Sequence, residues 1–224
     1  MKTYTFLFII FIPQLCFSQA KKLIFHDDFS KPLDTSIWKI EISNKQGDSV
    51  YTNNGKLILD TYNGVTVWLR KELKGNVQIE YKRKVMMEGK KNDRLSDLNQ
   101  FWMANDLHNN NLFTRKGGFK EYDSLSMYYV GMGGNYNSTT RFRKYDGKGG
   151  KQIIAEYKDS LHLLQPNTEY NIQICMNNGE ITFTVNGTVY FQYTDNTPLT
   201  QGYFAIRSTR SRQEIEEINI YQSE

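Results

Sequence analysis

Apolar and polar positions alternate with a period of two along most of the chain. In VQIEYKRKV, Val77, Ile79 and Tyr81 fall on one face and Gln78, Glu80 and Lys82 on the other. This is the pattern of a strand with one face in a core. VTVWLRKEL, YNIQICM, EITFTVNG, TVYFQYTD and EEINIYQ repeat it. Each segment ends at turn residues. Asn186–Gly187, between ITFTV and TVYFQY, tolerates the positive φ of a tight hairpin, and Asn54–Gly55 and Asn178–Gly179 mark further turns. No long amphipathic pattern of helical period is visible. The expectation is an all-β fold, a two-sheet antiparallel β-sandwich.

The start of the chain breaks the pattern. MKTYTFLFIIFIPQLCFSQA carries Lys2, an apolar run from Phe6 to Ile12, then small and polar residues. That order predicts a cleaved signal peptide over 1–20 and a secreted or periplasmic domain over 21–224. The run is shorter than the roughly 20 residues a bilayer requires, and no later segment is apolar enough to span one. Acylation at Cys16 would need a better lipobox than Pro13, Gln14 and Leu15 provide. With the leader removed, Cys175 is the remaining cysteine, expected as a small buried hydrophobe in a fold held by packing without a disulfide. The net charge of +4 is too mild to point to nucleic acid. A monomer is expected.

Both ends of the mature chain carry a resemblance. LIFHDDFSKPLDTSIWKIE with NNGKLILD resembles the opening of concanavalin A-like jelly rolls, the lectin and glucanase superfamily, and TEYNIQICMNNGEITFTVNGTVYFQYTD onward resembles their closing strands. In the middle, FWMANDLHNNNLF and YYVGMGGNYNSTTRFRKYDG resemble a family of secreted jelly-roll proteins from bacterial polysaccharide-degradation clusters. The pattern is also similar to dehydratases acting on oligosaccharides of ulvan, a sulfated algal polyuronide. Two departures stand out: Leu107–His108 follows Asp106 where that family commonly has Asp-Pro, and Ser211–Arg212 stands where His is common. The resemblance implies a jelly roll that binds or cleaves carbohydrate. The fold hosts binders, hydrolases and lyases alike, so it does not choose among them.

The candidate chemistry lies in that middle stretch. In TTRFRKY, alternation puts Thr139, Arg141, Arg143 and Tyr145 on one face and Phe142 on the core side. Guanidinium forks match carboxylate or sulfate, and tyrosine or tryptophan rings offer flat faces to sugars. The bland alternative is a solvated edge with surface ion pairs. No Glu-x-x-Glu or Glu-x-Asp-x-x-Glu strand motif occurs, so the carboxyl pair of a glycosidase is not legible. The residues fit β-elimination at a uronate better, with a cation or amide to neutralise the carboxylate, a base for the C5 proton and an acid for the leaving oxygen.

The expected catalytic residues are His108, Tyr128, Tyr145 and Arg141, with a phenolate favoured by nearby arginines. Tyr128 is chosen over Tyr129 for the groove because Tyr129 continues the apolar face of Leu125 and Met127. Trp102, Asp106, Arg115, Asn135, Asn137, Arg143 and Arg207 are the expected binding residues. The expected partner is an acidic oligosaccharide or polysaccharide. Non-catalytic binding and glycoside hydrolysis are the alternatives. No cofactor is expected, and Asp27–Asp28 leave room only for a structural calcium ion. Three scattered histidines give no zinc spacing.

Overall fold

The structure, a computed structural model, describes residues 21–43 and 47–223; the signal-peptide expectation over 1–20 lies outside them. Fourteen strands occur among the described residues, in the order β1 (Lys21–Asp27), β2 (Trp38–Ile42), β3 (Ser49–Asn53), β4 (Lys56–Leu69), β5 (Leu73–Lys74), β6 (Asn76–Val85), β7 (Leu98–Asp106), β8 (Leu125–Gly133), β9 (Thr139–Asp146), β10 (Lys151–Tyr157), β11 (Glu169–Asn177), β12 (Glu180–Val185), β13 (Thr188–Thr194) and β14 (Gln201–Ser223). All pairings are antiparallel. The expected turns fall where placed: Asn54, Asn178 and Asn186 all have positive φ.

Two long strands pass through both layers. The first half of β14 pairs with β7 and the second half of β4, and its later half pairs with β6 and β1. A front sheet β10-β9-β8-β7-β14-β4-β2 therefore lies over a back sheet β13-β12-β11-β6-β14-β1. Trp102, Tyr128, Val130, Phe142, Ile79, Ile174, Phe183, Ile215 and Ile220 fill the space between them. This is the β-sandwich that the alternation predicts, in the jelly-roll form that the resemblance implies. No helix among the described residues is long and apolar enough to cross a membrane. Asp27 serves the fold, accepting from the Trp38 indole at 2.7 Å and the Phe29 amide at 2.8 Å. Cys175 is buried as expected.

Both faces of the β7–β8 pair are buried, because a second apolar layer lies on the outer side of the front sheet. Trp68, Phe101, Ala104, Leu125, Met127, Tyr129, Tyr145 and Ala205 form it, covered by Leu112 and Tyr122 from the 107–124 loop. This layer corrects two expectations. Tyr128 and Trp102 face the sandwich interior, where their rings stack at 5.7 Å, and not the groove. The apolar Leu125–Met127–Tyr129 row that looked like core is the outer face.

Two buried polar groups tie the layers together. The Arg83 guanidinium donates to the Asn99 carbonyl and the Arg207 carbonyl, both at 2.7 Å, and to Gln213 Oε1 at 3.0 Å. Burial pushes its pKa down to about 10, so it stays charged at neutral pH. Replacing it by Met should cost at least about 1–3 kcal/mol, since buried acceptors lose their donor; urea unfolding measures this. At the other end of the core, Asp195 accepts from the Tyr128 hydroxyl at 2.5 Å and from Lys144 Nζ at 2.6 Å. Burial pushes the Asp195 carboxyl up, but the bonds from Lys144, Tyr128 and the Thr197 amide outweigh it and hold it low. A depressed folded pKa contributes stability above the ordinary Asp value of about 4 that disappears as pH falls through the folded value. Asp195→Asn should flatten the acid limb of the stability profile, read as melting temperature against pH.

Candidate functional site

The front sheet's outer face carries a cleft of about 340 Å³ lined by β8, β9, β14 and three loops. Register explains its contents. Asn99 of β7 sits opposite Gly131 of β8, which sits opposite Arg141 of β9. One row along, Phe101 faces Tyr129 and Tyr129 faces Arg143. Gly131 is a requirement of this arrangement, because a Cβ there would collide with the Tyr129 hydroxyl and the Asn99 amide oxygen. The Tyr129 hydroxyl donates to Asn99 Oδ1 at 2.8 Å, and Asn99 Nδ2 leans on Asp97 at 3.4 Å. The Arg143 guanidinium lies 5.6 Å from the Tyr129 ring centre. Among the described residues Arg143 forms no ion pair, whereas Arg141 is paired with Glu156.

Burial dominates the phenols. It pushes Tyr129 well above the usual tyrosine range; Asp97 adds to the rise and Arg143 opposes it. Tyr145 is raised by burial too, against the pull of Arg143. The expectation that neighbouring arginines favour a phenolate is therefore corrected: at neutral pH these hydroxyls are proton donors.

The cleft's outer rim is conformationally unusual. Asn135, Tyr136 and Asn137 have φ of 52°, 58° and 59°, three consecutive residues in the left-handed region that side chains avoid. Asn137 holds the turn by donating to the Leu164 carbonyl and accepting from the Leu164 amide, at 2.9 and 2.8 Å. Tyr136 is left 77% exposed, with the Arg94 guanidinium 5.2 Å from its ring.

A family model described as "Domain of unknown function (DUF6250)" matches residues 59–218. The chain belongs to this family. No curated protein matches it. Among solved structures, a DUF6250 chain such as this one is similar to a protein of unknown function with a galectin-like fold from Bacillus subtilis (14% identity, 92% of this chain and 98% of that one, TM-score 0.72). It is also similar to an endo-β-1,3-glucanase from Pyrococcus furiosus (12% identity, 92% and 96%, TM-score 0.63). A third is the carbohydrate-binding module CBM66 from Bacillus subtilis (9% identity, 83% and 96%, TM-score 0.58). At these identities the likeness is one of fold, galectin-like and concanavalin-like.

Of the residues expected from sequence, Arg141, Arg143 and Asn135 line the DUF6250 cleft. Tyr145 lies on the same face but is wholly buried beneath it. Arg207 is buried as well, donating to the Gly117 carbonyl at 3.2 Å with Phe119 4.6 Å away. Asp106 and Arg115 form a 2.7 Å ion pair that braces the 107–124 loop. His108 is held there too, its Nε2 3.1 Å from the Gly147 carbonyl. That is about 20 Å along β7 from Asn99 at a strand's rise per residue, so His108 does not line the cleft. Sequence reading missed Tyr129, Asn99, Asp97, Arg94 and Tyr136. The Gly-Gly-Asn-Tyr-Asn run was the signal available for the last.

Among the described residues no group of three or more His, Cys, Asp or Glu could hold a metal, and Asp97 is the cleft's one lining carboxylate. Gly131→Ala should displace Tyr129 from Asn99 and cost roughly 1–3 kcal/mol, the usual range for overpacking, read as a lowered urea midpoint with unchanged slope.

Proposed function

We propose that this protein is a carbohydrate-active protein that holds an acidic saccharide in the cleft and eliminates across the C4–C5 bond of a uronate. The observation that carries this reading is the charge of the lining: of Arg94, Arg141 and Arg143, Arg141 is paired with Glu156 and Arg94 lies 3.9 Å from Asp97, which leaves Arg143, among the described residues, as the cation without a carboxylate. A partly buried guanidinium without a carboxylate partner, such as Arg143, favours an anionic ligand. The carbohydrate-active neighbours of the same fold support a saccharide as that ligand.

The same inventory argues against a double-carboxylate hydrolase, which needs two carboxyl groups about 5–9.5 Å apart. Elimination needs less. Arg143 neutralises the uronate carboxylate as it becomes enolate-like. Asp97 takes the C5 proton, and Tyr129, kept protonated by burial, gives its proton to the departing C4 oxygen. The C5–H and C4–O bonds break and a C4=C5 double bond forms. The leaving group is a sugar in a lyase and water in a dehydratase such as one acting on ulvan oligosaccharides.

A second reading has its own support. No histidine lines the cleft and the Tyr129 phenol is raised in pKa, which fits a binding module that needs recognition but no base. Incubation with uronate oligosaccharides separates the two: elimination yields a product absorbing in the near ultraviolet, and a binder yields none. For the enzyme, Tyr129→Phe should lower turnover by about 10²–10⁴-fold while ligand still binds. Arg143→Ala should weaken binding at least about tenfold, the value of one charge-assisted bond. Tyr128→Phe should leave turnover intact. Wild-type turnover in Tyr129→Phe would remove the proposed acid.

A further inference from the structure

We infer that the cleft takes the end of an acidic glycan chain and not an internal stretch; this rests on the acidic-saccharide reading above. A glycan lying across the front sheet would follow one side-chain row. That row runs Glu41, Thr66, Arg207, Asn99, Gly131, Arg141, from β2 through β4, β14, β7 and β8 to β9. Its last two positions, Gly131 and Arg141, line the cleft, but the rest is sealed. Glu41, Thr66, Arg207 and Asn99 are all buried, Arg207 and Asn99 each with only 1% of their surface exposed.

The 107–124 loop is the plug. The Tyr122 hydroxyl donates to Glu41 Oε2 at 2.9 Å, and the Arg115 amide donates to Glu41 Oε1 at 2.8 Å. Phe119 covers the Arg207 guanidinium on one side and meets the Tyr129 ring at 6.0 Å on the other. It therefore forms the wall where the open part of the row stops.

The plug is fixed in place. Gly117 packs directly on Gly64 of β4, and a Cβ on either would collide with the other's carbonyl oxygen. Arg115 knits the loop internally through the carbonyls of Glu121 and Leu112, at 2.6 and 2.9 Å, besides its pair with Asp106. A chain entering from the β9 side meets Phe119 after the Tyr129–Asn99 pair, and its terminal sugar sits against that wall. Tyr136 and Arg94 stand at the rim, where the next sugar would lie.

Calorimetric titration with short and long size fractions of uronate oligosaccharides (alginate, polygalacturonate and ulvan series) tests this. Wild type and the Tyr129→Phe variant are run side by side, so that turnover does not consume the ligand. End-binding predicts one protein per glycan chain in both fractions, with affinity per chain changing less than about twofold with length. Several proteins on each long chain, with affinity rising in proportion to length, would overturn the inference and leave the acidic-saccharide reading standing. No binding to any fraction by either protein would overturn both.

Discussion

The site depends on a cation that never reaches it. Arg83 lies between the sheets and donates to the backbone carbonyls of Asn99 and Arg207. Those residues sit opposite each other on β7 and β14, and their side chains point to the outer face. A guanidinium has five donors in a fixed plane. Spreading them over two strand backbones and Gln213 fixes the spacing where β14 passes from the front to the back sheet. Among the described residues no carboxylate contacts it, and Asp97 favours its charge only from a distance, so its cost is offset mainly by the geometry of those bonds. The strands that carry Asn99 and Arg207 cannot slide without breaking them.

The second consequence of that rigidity is the outer apolar layer. A sandwich normally exposes the outer faces of its sheets to water, with polar side chains alternating against buried ones. Here β7 and β8 are buried on both faces, because Phe101, Leu125, Met127 and Tyr129 need a cover of their own. The 107–124 loop supplies it, held by the Arg115–Asp106 pair and by Glu41. Burial pushes the Glu41 carboxyl up, opposed by the bonds from Trp68, the Arg115 amide and Tyr122. The loop thus creates the low-dielectric surroundings that keep Tyr129 protonated, and its edge residue Phe119 ends the cleft.

This layer marks where the sequence stopped being legible. Strand periodicity and the Asn-Gly turns were enough for the sandwich, and in TTRFRKY alternation placed Phe142 inside and both arginines outside. Alternation failed at MYYVG and FWM, because a strand apolar on both faces offers no contrast from which to assign them. Tyr128 and Tyr129 differ only in which apolar layer they join. That choice is set by register with Trp102 and Phe101, which is long-range information. The phenol acidities failed for a related reason. Spacing along a strand shows that a tyrosine is near an arginine, but not that both are shut away from water, and desolvation is the larger effect. His108 was misjudged through sequence proximity to Trp102: a strand carries neighbours apart quickly, and a few residues moved it to the opposite end of the sheet.

The contrast between the two arginines facing the cleft bears on what the site recognises. Arg141 has Glu156 beside it on β10 and is neutralised in the resting protein. Arg143, one row away, faces Ile153 across the same strand pair and rests on Tyr129. A cation over an aromatic ring is only partly compensated, so the free energy available to an incoming anion is concentrated at Arg143. The adjoining Tyr129–Asn99 pair then supplies a donor and an acceptor within the same apolar surround, where polar contacts are stronger than in water. Under the proposed function, charge would select the ligand at one point and the neutral pair beside it would read the sugar's hydroxyls. That division is what the proposal requires of a cleft with a single lining carboxylate if it is to discriminate an acidic saccharide from a neutral one.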